Sequence, residues 1–207
     1  MVLRSKESAS RAAGKTARPP VKERLLHVAT RLFARHGFEG TSVQDIVDAA
    51  GVTKGAMYHY YGSKDDLLYE VYHQILSVQT SHLDQIAAGP GTAEERLRAA
   101  AADVVQTSLD NLDDMIVFFR SLHMLPEDKQ TQVRTERRVY QEKFKALVDE
   151  GVVAGTFRSD ISSDIVVHYF LSVVNQLGSW FKPDGSLSPV QVGDLFTELL
   201  IGGLAVR

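Results

Sequence analysis

The stretch Gly51-Val52-Thr53-Lys54-Gly55-Ala56-Met57-Tyr58-His59-Tyr60-Tyr61-Gly62-Ser63-Lys64 decides how this chain is read. It is too short and too polar to be a core element. It concentrates Lys, Tyr and His, whose side chains donate hydrogen bonds to phosphates and base edges. As a helix it begins after Thr53, whose hydroxyl caps the N-terminus, with Gly51 in the tight turn before it. Met57 and Tyr61 then fall one turn apart on one face, and Lys54 and Tyr58 one turn apart on another. Met57 and Tyr61 suit an anchor while Lys54 and Tyr58 face outward, which is the division a recognition helix requires.

On the N-terminal side, Val21, Leu25, Val28, Ala29, Leu32 and Phe33 recur at helical spacing up to His36, and Gly37 stops that helix. Thr41-Ser42-Val43-Gln44 resembles a capping box with Thr41 as N-cap and Gln44 reaching back. Val43, Ile46, Val47 and Ala50 supply the inner face of a short second helix, so the three helices form a helix-turn-helix unit over residues 21–66. On the C-terminal side, Ser63 caps a long fourth helix whose first turn carries Asp65 and Asp66. Lys64 is out of place at a helix N-terminus, where positive charge is unfavourable, and a nearby phosphate reverses that cost.

Composition points the same way. The net charge of −3 conceals an asymmetry: residues 1–64 hold 11 Lys/Arg against 5 Asp/Glu, and residues 65–207 hold 12 against 21. A basic head on an acidic body fits a protein that meets a polyanion with one end. Residues 1–20, with Arg4, Lys6, Arg11, Lys15 and Arg18 and the closing Pro19-Pro20, read as a disordered basic tail able to follow a phosphate backbone. The chain has no cysteine, no apolar run long enough to span a bilayer and no signal-peptide pattern, so the expected location is the cytoplasm without membrane contact.

Residues 67–207 read as helices throughout, giving an all-α chain of about nine helices. Gly89-Pro90-Gly91 breaks the fourth helix, and Thr92 with Glu95 forms a capping box for the fifth. Shorter and longer patterns follow at Asp113–Leu125 and Glu127–Val153. Asp160–Phe181 and Ser188–Val206 are apolar over so much of their circumference that an intersubunit surface is their natural sink. Small residues Gly178, Ser179, Gly202 and Gly203 suit close helix approach there.

Enzyme motifs are missing. The seven histidines show no i, i+4 pair for a metal, and no Walker loop, nucleophile elbow or GxGxxG is present. Neither a catalytic residue nor a cofactor is expected. A helical enzyme and a protein-interaction module remain as alternatives, and specific, saturable binding to a short palindromic duplex separates a DNA-binding regulator from both.

Four segments together resemble the N-terminal DNA-binding domain of the TetR (tetracycline repressor) family: Phe33-Ala34-Arg35-His36-Gly37-Phe38, Thr41-Ser42-Val43-Gln44-Asp45-Ile46, Ala49-Ala50-Gly51-Val52-Thr53-Lys54-Gly55 and Met57 to Lys64. The resemblance covers about a quarter of the chain. It implies a ligand-responsive homodimer, most simply a repressor, that binds a palindromic double-stranded DNA operator and pairs through its last two helices. It also implies DNA contacts from Lys54, Gly55, Tyr58, His59, Tyr60 and Lys64, supported by Thr53, with Arg24, Thr41 and Ser42 on phosphates beside the groove. Ala56 and Tyr60 depart from the family's usual small polar residue and histidine.

The effector site implied by the family lies in the C-terminal body. Phe118, Phe119, Tyr140, Phe144, Tyr169 and Trp180 are the candidate apolar lining, and Arg120, His123, Asn175 and Gln176 the candidate polar contacts. Phe118-Phe119-Arg120 and the Trp180-to-Gly185 turn are distantly similar to members that answer acyl-CoA thioesters. A multidrug-responsive repressor of an efflux gene is the alternative.

Overall fold

The computed structural model describes residues 19–206, so the basic residues expected to form the N-terminal tail (Arg4 to Arg18) lie outside the described residues. The chain folds into helices α1 (Val21–His36), α2 (Val43–Ala50), α3 (Lys54–Tyr60), α4 (Lys64–Ala87), α5 (Ala93–Asp110), α6 (Leu112–Ser121), α7 (Glu127–Val153), α8 (Ser163–Asn175), the single turn α9 (Leu177–Trp180) and α10 (Pro189–Leu204). A 3-10 turn, Leu122–Met124, links α6 to α7. Among the described residues the β-structure is one isolated antiparallel bridge, Phe157 to Ala205.

Local chemistry explains most boundaries. Thr92 and Glu95 form the expected capping box on α5, and Ser188 with Gln191 forms another on α10, where Pro189 occupies the first turn. The cap of α2 differs from its expected form by one residue. Ser42, not Thr41, is the N-cap, and Asp45 rather than Gln44 reaches back, its carboxylate accepting from the Ser42 backbone N–H at 2.8 Å. An ionised carboxylate is the stronger acceptor for an orphan N–H, and it suits the positive end of the helix dipole. Gly51 ends α2 in the left-handed region, at φ 63°, where a side chain is disfavoured.

The continuous helix expected over Asp160–Phe181 is divided. α8 stops at Asn175, and Leu177 to Trp180 turns separately. Gly178 faces inward there: a Cβ on it would meet Ile116 and the backbone of Met115 at about 3 Å, so this glycine admits α6 rather than a second subunit.

Two apolar clusters hold the molecule together. One joins α5, α7, α8 and α10 through residues such as Leu97, Val105, Phe144, Phe170, Leu177 and Ile201. The other joins the three-helix head to the first half of α4, α6 and the start of α7 through Leu25, Ile46, Met57, Leu68, Tyr72, Phe118 and Val133. The head therefore shares its core with the body across residue 66. Close packing at that seam means α4 cannot tilt without moving the head.

Polar ties fix the other face of α4. Asp66 pairs with Lys129 and Asp84 with Lys143, while Glu136 accepts from the Tyr69 hydroxyl at 2.9 Å and meets His73 Nδ1 at 3.1 Å. His82 meets Asp103 of α5 at 3.0 Å. Inside, the Tyr72 hydroxyl donates to the carbonyls of Val117 and Phe118 at 3.1 and 3.2 Å, and burial holds that phenol well above its ordinary pKa.

Candidate nucleic-acid interface and interior cavity

α3 is only seven residues long, so its stability comes from its cap and its anchors. Thr53 Oγ1 accepts from the Ala56 N–H at 3.1 Å. Met57 is fully buried, and Tyr61 is buried just past the helix end with its hydroxyl donating to the Lys22 carbonyl at 3.3 Å. Burial pushes the Tyr61 phenol up to about 12. The opposite face is open. Lys54, Gly55 and His59 are exposed, as are Tyr58 at 52% and Tyr60 at 45%. His59 and Tyr60 touch edge to face, with ring centroids 5.0 Å apart. Exposed tyrosines beside a lysine, with no acidic residue on the helix, form an electropositive surface rich in donors.

The flanking candidates behave differently. Thr41 is buried, and its hydroxyl donates to the carbonyls of Gly37 and Leu32 at 2.8 and 3.3 Å, so it is a structural residue rather than a phosphate contact. Ser42 is exposed, but its hydroxyl donates to the Asp45 carboxylate at 2.7 Å. Those hydrogen bonds from Ser42 hold the Asp45 carboxyl below the usual range, which places a negative charge where a phosphate was expected. Arg24 donates through Nη1 to the Pro19 carbonyl at 2.9 Å and through Nε to that of Ala50 at 3.4 Å, tying α1 to the end of α2.

Lys64 resolves its unfavourable position internally. Its ammonium donates to the carbonyls of Phe38 and Thr41 at 2.8 and 3.0 Å and lies 4.1 Å from the Phe38 ring centroid. Two carbonyl dipoles and a ring face supply the negative potential that the sequence suggested a phosphate would supply. Lys64 clamps the α1–α2 loop to α4 and keeps one N–H for an outside acceptor.

The candidate effector residues divide into three groups. Phe118, Tyr140 and Asn175 line a small cavity of about 20 Å³ between α4, α5, α6, α7 and α8. That volume holds about one water. Phe144 lies deeper, fully buried and stacked on Phe170, and does not line the cavity. Phe119, Arg120, His123, Tyr169 and Gln176 are exposed on the outside, and Trp180 packs half-exposed near Phe181 and Phe196. Helical phase carries these six away from the cavity wall.

Sequence reasoning missed Gln79, Arg137 and Gln141, which complete the polar part of the cavity wall. A signal for Arg137 was present. It falls in step with Val133, Tyr140, Phe144 and Leu147, the buried stripe of α7, which turns its side chain towards the cavity.

A larger groove of about 630 Å³ separates α1 from the α5–α6 junction, bordered by Glu23, His27, Arg31, Asp110, Asp113 and Asp114. Burial, assisted by the neighbouring Asp113, lifts the Asp114 carboxyl to about 6. A raised carboxyl favours the folded state while protonated and loses that advantage as pH rises from 4 through 6. Asp114→Asn is therefore expected to be more stable than the wild type at pH 7, by about 1–3 kcal/mol. The gap should close as pH falls towards 4 in paired denaturant titrations; a constant gap would argue against this origin.

Comparison with known proteins agrees with this architecture. Residues 25–71 match the model described as bacterial regulatory proteins, tetR family, and residues 90–204 match the tetracyclin repressor-like C-terminal domain. The chain is 29% identical over 196 residues to the HTH-type transcriptional repressor KstR2 of Mycolicibacterium smegmatis, covering 88% of this chain and 90% of that protein. PfmR of Thermus thermophilus, a TetR family transcriptional regulator, superimposes with a TM-score of 0.80 at 27% identity, covering 88% of this chain and all of that one. AibR, solved with isovaleryl coenzyme A and operator DNA, gives a TM-score of 0.78 at 23% identity, covering 88% and 98%. The polar, outward-facing α3 on a buried anchor, matched at both ends of the chain, places this protein in the TetR family of transcriptional regulators, which act through a helix-turn-helix and are not enzymes.

Proposed function

We propose that the protein is a homodimeric transcriptional repressor that grips a palindromic operator with two copies of α3 and releases it on binding a small hydrophobic or acyl-CoA-type effector in the body. The observation that carries the DNA-binding part is the division of α3: Met57 and Tyr61 are consumed by the core, while Lys54, Tyr58, His59 and Tyr60 have no internal employment. In a dimer the two helices enter successive major grooves about 34–36 Å apart. Tyr58 and the spare N–H of Lys64 set register on phosphates, and Lys54, His59 and Tyr60 meet base edges.

Dimerisation is supported by an apolar stripe. Ile165, Tyr169 and Val173 recur every four residues on α8, and Leu195 and Leu199 do so on α10, all exposed in the single chain. Gly202 and Gly203 on α10 have open space where a Cβ would stand. The effector part is supported by the cavity beside α4 and by relatives: KstR2 is named a repressor and AibR was solved with an acyl-CoA. A ligand that favours a wider cavity favours a different tilt of α4 and thus a different separation of the heads.

Two substitutions test the reading. A Cβ at Gly55 would meet nothing nearer than Thr53 Oγ1 at 3.8 Å, so the fold does not need glycine there. Gly55→Ala should stabilise α3 by about 0.5–1 kcal/mol yet weaken operator binding at least tenfold by blocking close backbone approach. Tyr58→Ala should weaken binding comparably without altering oligomeric state. The measurement is a mobility-shift titration against duplexes selected from random DNA, alongside thermal melts. Retained affinity in both variants would remove α3 from the interface.

A further inference from the structure

We propose that Arg137 is the anchoring residue for an effector that carries a carboxylate on an apolar body; this rests on the effector-responsive reading above. Arg137 is half-buried in the middle of α7 and lines this small cavity. Its guanidinium lies 5.1 Å from the Phe118 ring centroid and makes no ion pair and no hydrogen bond among the described residues. Every other half-buried or buried Arg or Lys of the body in a comparable position is matched: Arg96 by Glu150, Arg98 by Glu94 and Glu198, Lys129 by Asp66 and Lys145 by Asp149. A half-buried guanidinium that faces an aromatic ring and spends its donors on no protein acceptor among the described residues is available to an incoming anion.

The surroundings define the anion. Gln141 and Asn175 also line the cavity without side-chain hydrogen bonds among the described residues, and both are neutral amides able to donate to an oxygen. Gln79 donates to Ser108 at 3.3 Å, and the rest of the wall is mostly apolar, with Ile75, Leu76, Val104 and Leu171. One fork-shaped cation matches a single planar carboxylate; a phosphate dianion would call for a second cation, and the cavity lining has none. A cationic drug would meet the guanidinium head-on. Burial already pushes the Arg137 guanidinium below its ordinary pKa, and an incoming carboxylate reverses that effect.

The position also explains a response. Arg137 and Tyr140 come from α7, Phe118 from α6, and Ile75, Leu76 and Gln79 from α4. A cavity of about 20 Å³ cannot enclose a carboxylic acid of any length, so enclosing one requires α4 to separate from α6 and α7. The Tyr72 hydrogen bonds to the Val117 and Phe118 carbonyls lie directly in the path of that separation.

The test uses the full-length protein and four probes: decanoate, its neutral isostere decanamide, decanoyl-CoA and a cationic amine of the same chain length. Affinities come from calorimetry, and release of a selected operator duplex is followed by fluorescence anisotropy. Decanoate is expected to bind at least tenfold more tightly than decanamide, the amine not at all, and Arg137→Gln should abolish the acid-over-amide preference. Arg137→Lys, which keeps the charge and loses the fork, should retain part of it and covers the case in which the Gln variant misfolds. Equal binding of acid and amide, a preference that survives Arg137→Gln, or no binding of decanoate overturns the assignment. Operator release by decanoyl-CoA in both the wild type and Arg137→Gln would overturn the anchor while leaving the effector-responsive reading in place. Failure of all probes to release operator would count against both.

Discussion

Leu199→Glu is expected to convert a dimer into a monomer of 22.9 kDa and to lower operator affinity at least a hundredfold. In the isolated chain Leu199 is 74% exposed, so a polar replacement should leave the fold of a single subunit almost unchanged. The effect must therefore come from the partner. Leu199 lies one turn from Leu195 on α10, and α8 presents Tyr169, itself 71% exposed. Large apolar side chains exposed at helical repeats are unusual unless something covers them. If the two copies pack on it about a two-fold axis, each glutamate is desolvated close to its symmetry mate.

Loss of the dimer then acts on DNA binding by arithmetic rather than by contact. Two linked heads bind a palindrome with an effective concentration that a single head lacks, an advantage of order 10²–10⁴. Light scattering and a mobility-shift titration on the same preparation check both halves. A variant that stays dimeric would move the interface elsewhere on the surface. One that becomes monomeric but keeps its affinity would remove the need for paired heads.

Phe144→Ala is expected to cost about 3–5 kcal/mol of folding stability. Phe144 is fully buried in the middle of α7, stacked on Phe170 with ring centroids 5.6 Å apart and close to Tyr140 at 6.3 Å. It sits where α7 crosses α8, so deleting the ring removes both transfer energy and aromatic contact and leaves a void that rigid helices cannot fill. For a chain of this length such a loss lowers the melting temperature by roughly 6–20 °C. Phe144→Leu, which keeps most of the apolar volume, should lose under half as much. A loss below about 1 kcal/mol for the alanine variant would mean that the α7–α8 seam can collapse on itself. Because Phe144 does not line the cavity, acid binding by the surviving folded fraction of either variant separates core from effector site.

The DNA-reading head was almost fully legible in the chain. The spacing of Met57 and Tyr61 against Lys54 and Tyr58 fixes which face is buried, because a seven-residue helix has only two faces to assign. Local capping was legible too, since Thr53, Ser63 and Thr92 act within three residues of themselves. The α2 cap was displaced by one residue because Thr41-Ser42 offers two hydroxyls in succession. Sequence alone does not say that the first is consumed by the Gly37 and Leu32 carbonyls.

The body's site was much less legible. Phe119 and Phe118 are adjacent and chemically alike, yet one is exposed and the other lines the cavity. Choosing between them requires the phase of α6 relative to α4 and α7, which is a property of three packed helices. Arg120 drew attention as a charge within an aromatic run, but it reaches solvent, and the cation that lines the cavity is the half-buried Arg137, in step with the apolar stripe of a heavily charged helix.

By itself, then, the sequence determined the all-helical class, the helix-turn-helix and the outward face of its third helix, because these depend on periodicity and caps acting over a few residues. The tertiary structure alone decided that Lys64 is held by the Phe38 and Thr41 carbonyls, that Gly178 admits α6, and that Arg137 stands beside Phe118 with no ion pair among the described residues. Those outcomes depend on which atoms arrive from distant parts of the chain, and no local pattern records the distance between a guanidinium and a ring that lie on different helices.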